Sequence, residues 1–146
     1  MRTTTASAGR VPRLLELFRR ELELCNVQPG ETIGIYTEGG ERAAYAEAWA
    51  TAAVVLGASP FLLDMPAQPP ATLAELGSSS GGCGLADNAA AVAAFEAADL
   101  LIDLASLLHT PEQEAIVRSG TRMLMCIEPV DVLERLFPTA RLRAEA

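Results

Sequence analysis

Four short apolar segments alternate along the chain with segments of helical character, and this alternation constrains the fold more than any other feature. Strands joined through helices return to the same end of a sheet, so they lie parallel and are covered on both faces. The sequence therefore predicts an α/β fold, a Rossmann-like three-layer sandwich with a mostly parallel sheet of about four strands. The predicted strands are Thr32–Thr37, Ser59–Met65, Asp99–Leu104 and Arg122–Ile127.

The helical segments have distinct signatures. Apolar residues between Leu14 and Cys25 recur every three to four positions, which indicates an amphipathic helix. The alanine-rich segment Glu41–Leu56 ends before Gly57, a typical helix terminator. Three further helices are expected; they run from Asp87 or Asn88 to Ala98, from Pro111 to Val117 and from Val130 to Leu136.

The 146 residues, half of them apolar, suffice for one domain. Residues 1–10 are small and polar and are expected to form a flexible N-terminus. Residues 11–146 are expected to form a single α/β domain. Proline, glycine and serine break the pattern in 66–87, so we expect a long excursion there, including a flexible turn around Cys83.

Composition excludes several classes of function. The chain has no lysine, which rules out a Schiff-base enzyme and a phosphate loop that needs lysine. A single histidine, His109, rules out a two-histidine metal site built from this chain alone. A net charge of −8 disfavours nucleic acid as a partner. Charged residues interrupt every long apolar stretch, so we expect no membrane-spanning segment. No signal peptide is evident, and the expected location is therefore the cytoplasm.

The three cysteines are widely spaced and odd in number. They lack the spacing of a metal or redox motif, so all three are expected to be free thiols. Cys25 and Cys126 are expected to pack as small hydrophobic side chains.

Ligands of parallel α/β sheets bind beyond the carboxyl ends of the strands. In this sequence Glu38, Asp64, the segment Ser106–Thr110 and Glu128 mark those ends. Within them, His109 is the candidate catalytic residue, because an imidazole can act as a general acid or base near neutral pH. The alternative is a local role for His109 in capping or packing the following helix.

Neighbouring residues favour structural roles. Thr110 and Gln113 have the spacing of a capping box, and Glu112 and Glu114 suit the first turn of a helix. Asp103 ends a predicted strand and could orient His109. The turn Glu38-Gly39-Gly40 lacks the spacing of a dinucleotide-binding loop, so no such cofactor is expected.

Part of the sequence resembles a known family. Four segments carry the likeness, which is strong from Glu96 to Pro138; they are Ala98–Asp103, Leu107–Glu114, Gly120–Arg122 and Glu128–Pro129. They resemble the amino-terminal domain of the 2,5-dihydroxypyridine 5,6-dioxygenase family, within the wider aminopeptidase-T-like group.

The resemblance implies a ring-opening reaction on a hydroxylated pyridine in nicotinate degradation, using Fe(II) and O₂. It implies that His109 lies near the substrate and assists proton transfer, and that Leu108 lines the same pocket. It also implies that the iron ligands belong to a carboxy-terminal domain absent from this chain. The isolated chain is therefore expected to be inactive.

Two other hypotheses stay open: a metal-dependent amide or peptide hydrolase of the aminopeptidase-T type, and a non-catalytic α/β binding module. Apolar surface that a partner domain would cover also predicts self-association, so a homo-oligomer is expected.

Overall fold

The computed structural model describes residues 10–67 and 83–136. Strands and helices alternate through both ranges, as the sequence predicts. In chain order the elements are α1 (Arg10–Leu24), β1 (Thr32–Glu38), α2 (Ala43–Val55), β2 (Ser59–Met65), α3 (Ala89–Glu96), β3 (Leu100–Asp103), α4 (Pro111–Arg118), β4 (Arg122–Met125) and α5 (130–136).

The four strands form one parallel sheet in the order β2-β1-β3-β4. β1 is central, with Ile35 opposite Leu62 of β2 on one side and Ile102 of β3 on the other. All four carboxyl ends therefore meet at the same edge of the sheet. The predicted α/β architecture is confirmed.

Helices cover both faces of the sheet, which makes three layers. Alternate residues of β1 face opposite ways: Ile33 and Ile35 pack with α1, α2 and α5, whereas Tyr36 packs with α3 and α4. On the first face Phe18 of α1 stacks on Trp49 of α2, with ring centroids 4.0 Å apart. The two apolar clusters hold the helices against the sheet, since burial of apolar surface dominates folding.

Most predicted boundaries agree with the structure to within two residues, and three details differ. Helix α1 begins at Arg10, so that residue does not belong to a separate N-terminal segment. β2 is only partly buried, because it is an edge strand with a neighbour on one side alone. A turn does begin at Cys83, whose carbonyl accepts the Ala86 N–H at 3.0 Å, but the Cys83 side chain is 5 % exposed and packs in the core beside Tyr36.

Other sequence predictions lie outside the described residues. They concern residues 1–9, most of the excursion (68–82) and residues 137–146. None of the helices within 10–67 and 83–136 is both long and apolar enough to cross a membrane. Cys25, Cys83 and Cys126 are free thiols, as predicted.

Candidate functional site

The loop after β3 is built around the carboxylate of Asp103. This side chain is 1 % exposed and accepts hydrogen bonds from three backbone N–H groups that follow it. The donors are Ala105 and Ser106, both at 2.9 Å, and Leu107 at 2.6 Å. Bonds from several amides to one carboxylate are strong, because the acceptor is charged. They fix the path of the loop as it leaves the sheet.

Two residues of this loop have left-handed backbone conformations. The φ angle is 72° at Ser106 and 65° at His109. Residues other than glycine rarely adopt this backbone conformation, because their Cβ atom crowds the backbone. The surrounding hydrogen bonds therefore hold the backbone at His109 in an uncommon conformation, which directs the chain into α4.

Helix α4 begins immediately after His109. Thr110 is its N-cap and accepts the backbone N–H of Gln113 at 3.1 Å, while Pro111 occupies the first turn. The hydroxyl of Thr110 also donates to the carbonyl of Leu107 at 2.7 Å. The predicted N-cap at Thr110 is confirmed, but the side chain of Gln113 accepts the N–H of His109 and not that of Thr110, so the second half of the predicted capping box does not form. Glu112 and Glu114 lie in the first turn as expected.

His109 is exposed and lies at one end of a surface groove along α4. The groove has a volume of about 640 Å³. It is lined by His109, Thr110, Gln113, Glu114, Val117 and Arg118. Val117 is 49 % exposed and supplies an apolar wall, and Arg118 pairs with Glu114 at 3.1 Å. The groove thus combines an imidazole, an apolar side chain and a charged pair.

Leu108 is 48 % exposed and precedes His109, but it does not line this groove. The structure also separates Asp103 from the imidazole of His109: both carboxylate oxygens bind backbone N–H groups of the intervening loop. Asp103 therefore orients the segment that carries His109 and not its ring. Within the described ranges, the imidazole itself makes no hydrogen bond to another residue.

Polar groups at the ends of β1 and β2 bind one another. Asp64 accepts the Thr37 hydroxyl at 2.6 Å and the Gly40 N–H at 2.9 Å, and these two bonds lower the pKa of Asp64. Glu38 accepts the N–H of Gly84. These carboxylates therefore anchor the loops that follow β1 and β2.

Beside Glu38 lies a buried phenol. Tyr36 is fully buried, its hydroxyl has no hydrogen-bond partner among the described residues, and burial raises its pKa, with the Glu38 carboxylate adding to the effect. Cys83 lies nearby, with its sulfur 3.6 Å from Glu112. Burial and that carboxylate raise the pKa of Cys83, so the thiol is not activated as a nucleophile.

We compared the donor groups with the needs of a metal ion. No group of three or more histidine, cysteine, aspartate or glutamate side chains is close enough to bind a metal within residues 10–67 and 83–136. Both oxygens of Asp103 accept backbone N–H groups, and one oxygen of Asp64 accepts the Thr37 hydroxyl and the Gly40 N–H. The described residues therefore do not fit a resident metal centre.

Comparison with known proteins identifies the family. The 2,5-dihydroxypyridine 5,6-dioxygenase family matches residues 13–146, nearly the whole chain. The chain belongs to this family. A curated member, the 2,5-dihydroxypyridine 5,6-dioxygenase of Pseudomonas putida KT2440, is 35 % identical over 129 residues. The match covers 87 % of this chain and 37 % of that dioxygenase.

A solved structure of the dioxygenase from Pseudomonas putida KT2440 has the same fold in the matched region. Its TM-score is 0.75 at 34 % identity, over 85 % of this chain and 36 % of the other. The chain thus spans little more than a third of the family member it matches.

The sequence located His109 but missed the way in which it is positioned. The signal was present in the segment after Asp103, because an aspartate at a strand end often accepts backbone N–H groups two and three residues further on. The uncommon backbone conformations of Ser106 and His109 had no comparable signal, since neither residue is glycine.

Proposed function

We propose that this chain is the amino-terminal, substrate-facing domain of a ring-cleaving dioxygenase acting on a hydroxylated pyridine such as 2,5-dihydroxypyridine. The observation that carries the proposal is the exposed imidazole of His109 at the carboxyl edge of the sheet in a chain of this family. In this proposal His109 accepts or relays a proton of the substrate hydroxyl, and Leu108 contacts the ring.

The geometry suits this role for a physical reason. A general base must reach a proton of its substrate, so the ring nitrogen that accepts this proton must be free of another partner. His109 meets that condition within the described residues, while its backbone N–H is held by Gln113 at 2.8 Å. The backbone of His109 is therefore held in place, while its imidazole ring is accessible.

Fe(II), which the family resemblance implies, is a cofactor that activates O₂ for the ring-opening chemistry. The described residues do not fit it, so we propose that its ligands lie outside this chain. The role assigned to His109 concerns only the proton of the bound substrate and does not depend on any ligand in this domain.

Binding is tested first on the chain itself. Because His109 is the only histidine, its imidazole protons give a unique NMR signal. Addition of 2,5-dihydroxypyridine is expected to shift this signal, and nicotinamide, which lacks the hydroxyl groups, is the control ligand. A His109 signal that does not move when the rest of the domain also shows no shifts would contradict substrate contact by this domain.

Catalysis is tested in a chimera in which this chain replaces the matched 37 % of the Pseudomonas putida enzyme. With Fe(II) and O₂, the chimera is expected to remove the pyridine absorbance and consume oxygen. The His109→Ala variant is expected to lose about 100-fold in kcat, as for removal of a general base. Equal rates for the chimera and this variant would reject the catalytic assignment.

A second pair of variants tests Leu108. Leu108→Ala is expected to raise KM several-fold by removing apolar contact with the ring. Leu136→Ala truncates a leucine of similar exposure, 52 %, on α5 and is the matched control. If the chimera cleaves peptides without oxygen uptake, that result would support the alternative hypothesis of a metal-dependent amide or peptide hydrolase over the dioxygenase.

A further inference from the structure

The outer edge of β2 is open to pairing with another strand. Among the described residues, β2 lies at the end of the sheet and pairs with β1 alone. The Ser59 N–H donates to the Glu31 carbonyl at 2.8 Å, and the Met65 carbonyl accepts the Gly39 N–H at 2.8 Å. Because successive residues of a strand point their backbone groups to opposite sides, the groups of Ser59, Phe61, Leu63 and Met65 face β1.

The backbone groups of the intervening residues therefore face away from the sheet. They are the carbonyls of Pro60, Leu62 and Asp64 and the N–H groups of Leu62 and Asp64. Pro60 has no N–H, so it occupies a position where this loss leaves the ladder to β1 intact. No other strand lies beyond this edge in residues 10–67 and 83–136.

The backbone donors and acceptors along the outer edge of β2 are complementary to those of a second β2 that lies antiparallel to it. If two β2 strands meet antiparallel about Leu62, the two Leu62 residues exchange a pair of N–H···O bonds. Each Asp64 N–H then meets the Pro60 carbonyl of the other copy, which gives four bonds in all. Only the two Asp64 carbonyls lack a donor, and they stay at the ends of the strands near water.

Side chains at this edge are also compatible with the same arrangement. Leu62 is 54 % exposed at the centre of the strand and would pack against its own copy across the two-fold axis. Asp64 lies opposite the uncharged Pro60, so no like charges face each other. The two Asp64 carboxylates are separated by four strand residues, about 13 Å, which exceeds the screening length at physiological salt, about 8 Å.

We infer that β2 pairs antiparallel with β2 of a second copy of this chain, which joins the two sheets into one of eight strands. A second copy of the chain is favoured as the partner because β2 carries no charged side chain except Asp64. The outward-facing N–H and carbonyl groups of β2 also match those of an antiparallel copy of itself. Natural edge strands that avoid pairing carry exposed charges, of lysine above all; this one exposes Leu62. The helix that covers it, α2, adds the exposed Val54 and Val55. An isologous contact of this kind closes as a dimer.

Sedimentation of the chain at increasing concentration tests the inference. The expected mass is twice that of one chain at high concentration. Leu62→Lys would place two ammonium groups opposite each other across the axis and is expected to raise the dimer Kd by about tenfold or more. Val117→Lys introduces the same charge at a similarly exposed position on α4 and should leave Kd unchanged. Trp49 fluorescence and circular dichroism report whether each variant is folded.

Amide hydrogen exchange identifies the contact directly. Leu62 and Asp64 are expected to exchange slowly at high concentration and fast on dilution. Phe61 and Leu63, which bond to β1, are expected to stay slow at both. A monomer at all concentrations, an unaltered dimer in Leu62→Lys, or protection of Leu62 in the dilute monomer would each overturn the inference. The last outcome would show that another segment of the chain covers the edge.

Discussion

The side-chain oxygen of Gln113 accepts the backbone N–H of His109 at 2.8 Å. In the usual capping box this oxygen would reach the N–H of the N-cap, Thr110. Here that N–H donates to the carbonyl of Leu107 at 3.1 Å instead. The cap is thereby extended by one residue, and α4 holds the backbone of the candidate catalytic residue directly.

Removal of the N-cap should destabilise the protein. Thr110→Ala loses the acceptor for the Gln113 N–H and the donor to the Leu107 carbonyl, so we expect the free energy of unfolding to fall by about 1–2 kcal/mol. Urea denaturation followed by Trp49 fluorescence measures it. Thr51→Ala is the control, because the Thr51 hydroxyl bonds within an exposed part of α2. Equal losses in the two variants would contradict the capping role.

The carboxylate of Asp103 should contribute more. Asp103→Ala leaves three backbone N–H groups without their acceptor, and we expect a loss of about 2–4 kcal/mol. Asp103→Asn keeps one oxygen but turns an NH₂ group towards donors, so an intermediate loss is expected. Urea denaturation gives both values, and the NMR signal of His109 should shift in both variants. A stable Asp103→Ala protein with an unchanged signal would show that the loop needs no anchor.

The backbone strain in the loop predicts a stabilising substitution. Ser106 has φ 72° and an exposed side chain, so Ser106→Gly should relieve crowding at Cβ and raise stability by about 0.5–1 kcal/mol. Ala105→Gly, one residue earlier, should lower stability because it removes a methyl group that packs against the core and adds freedom to the unfolded chain. The two variants are compared by thermal unfolding. Destabilisation by both would mean that Ser106 is unstrained.

Glu21 makes stability depend on pH. It is 6 % exposed, one carboxylate oxygen has no partner among the described residues, and burial raises its pKa. The folded state therefore holds the proton more tightly than the unfolded chain, and this contribution to stability falls as pH rises through the folded pKa. Glu21→Gln cannot ionise, so its advantage over wild type should grow from pH 4 to pH 7.

Urea denaturation at several pH values measures that difference. Glu47→Gln removes one charge from an exposed position on α2 and controls for net charge. Cys25 and Cys126 lie near Glu21, and burial raises their pKa values to about 11 and about 12, so both stay neutral over this range. A constant difference between Glu21→Gln and wild type would show that Glu21 does not titrate with folding.

The individual helices and strands could be predicted from the sequence because the signals that specify them are local. Apolar runs such as Leu100–Asp103 and the cap at Asn88, which accepts the Ala91 N–H at 3.0 Å, need only nearby residues to specify an element. Strand order is different: β1 lies between β2 and β3 because of packing between distant segments. The partial exposure of β2 depends on that order, so the sequence pattern alone did not reveal it.

The candidate site divides in the same way. His109 was located because it is the only histidine and follows a strand. The pairing of Glu38 with Gly84 across 46 positions of sequence arises only when the chain is folded. Spacing of residues along the sequence carries little information on such contacts.

The anchoring by Asp103 has a consequence for how this loop can vary. Its carboxylate binds main-chain groups only, and the side chains of Ser106 and Leu108 are exposed, so those two side chains take no part in this anchoring. Exchanging them would alter what a ligand meets at the rim and leave the imidazole where it is. Selection or engineering can therefore retune the chemistry of this rim without rebuilding its scaffold.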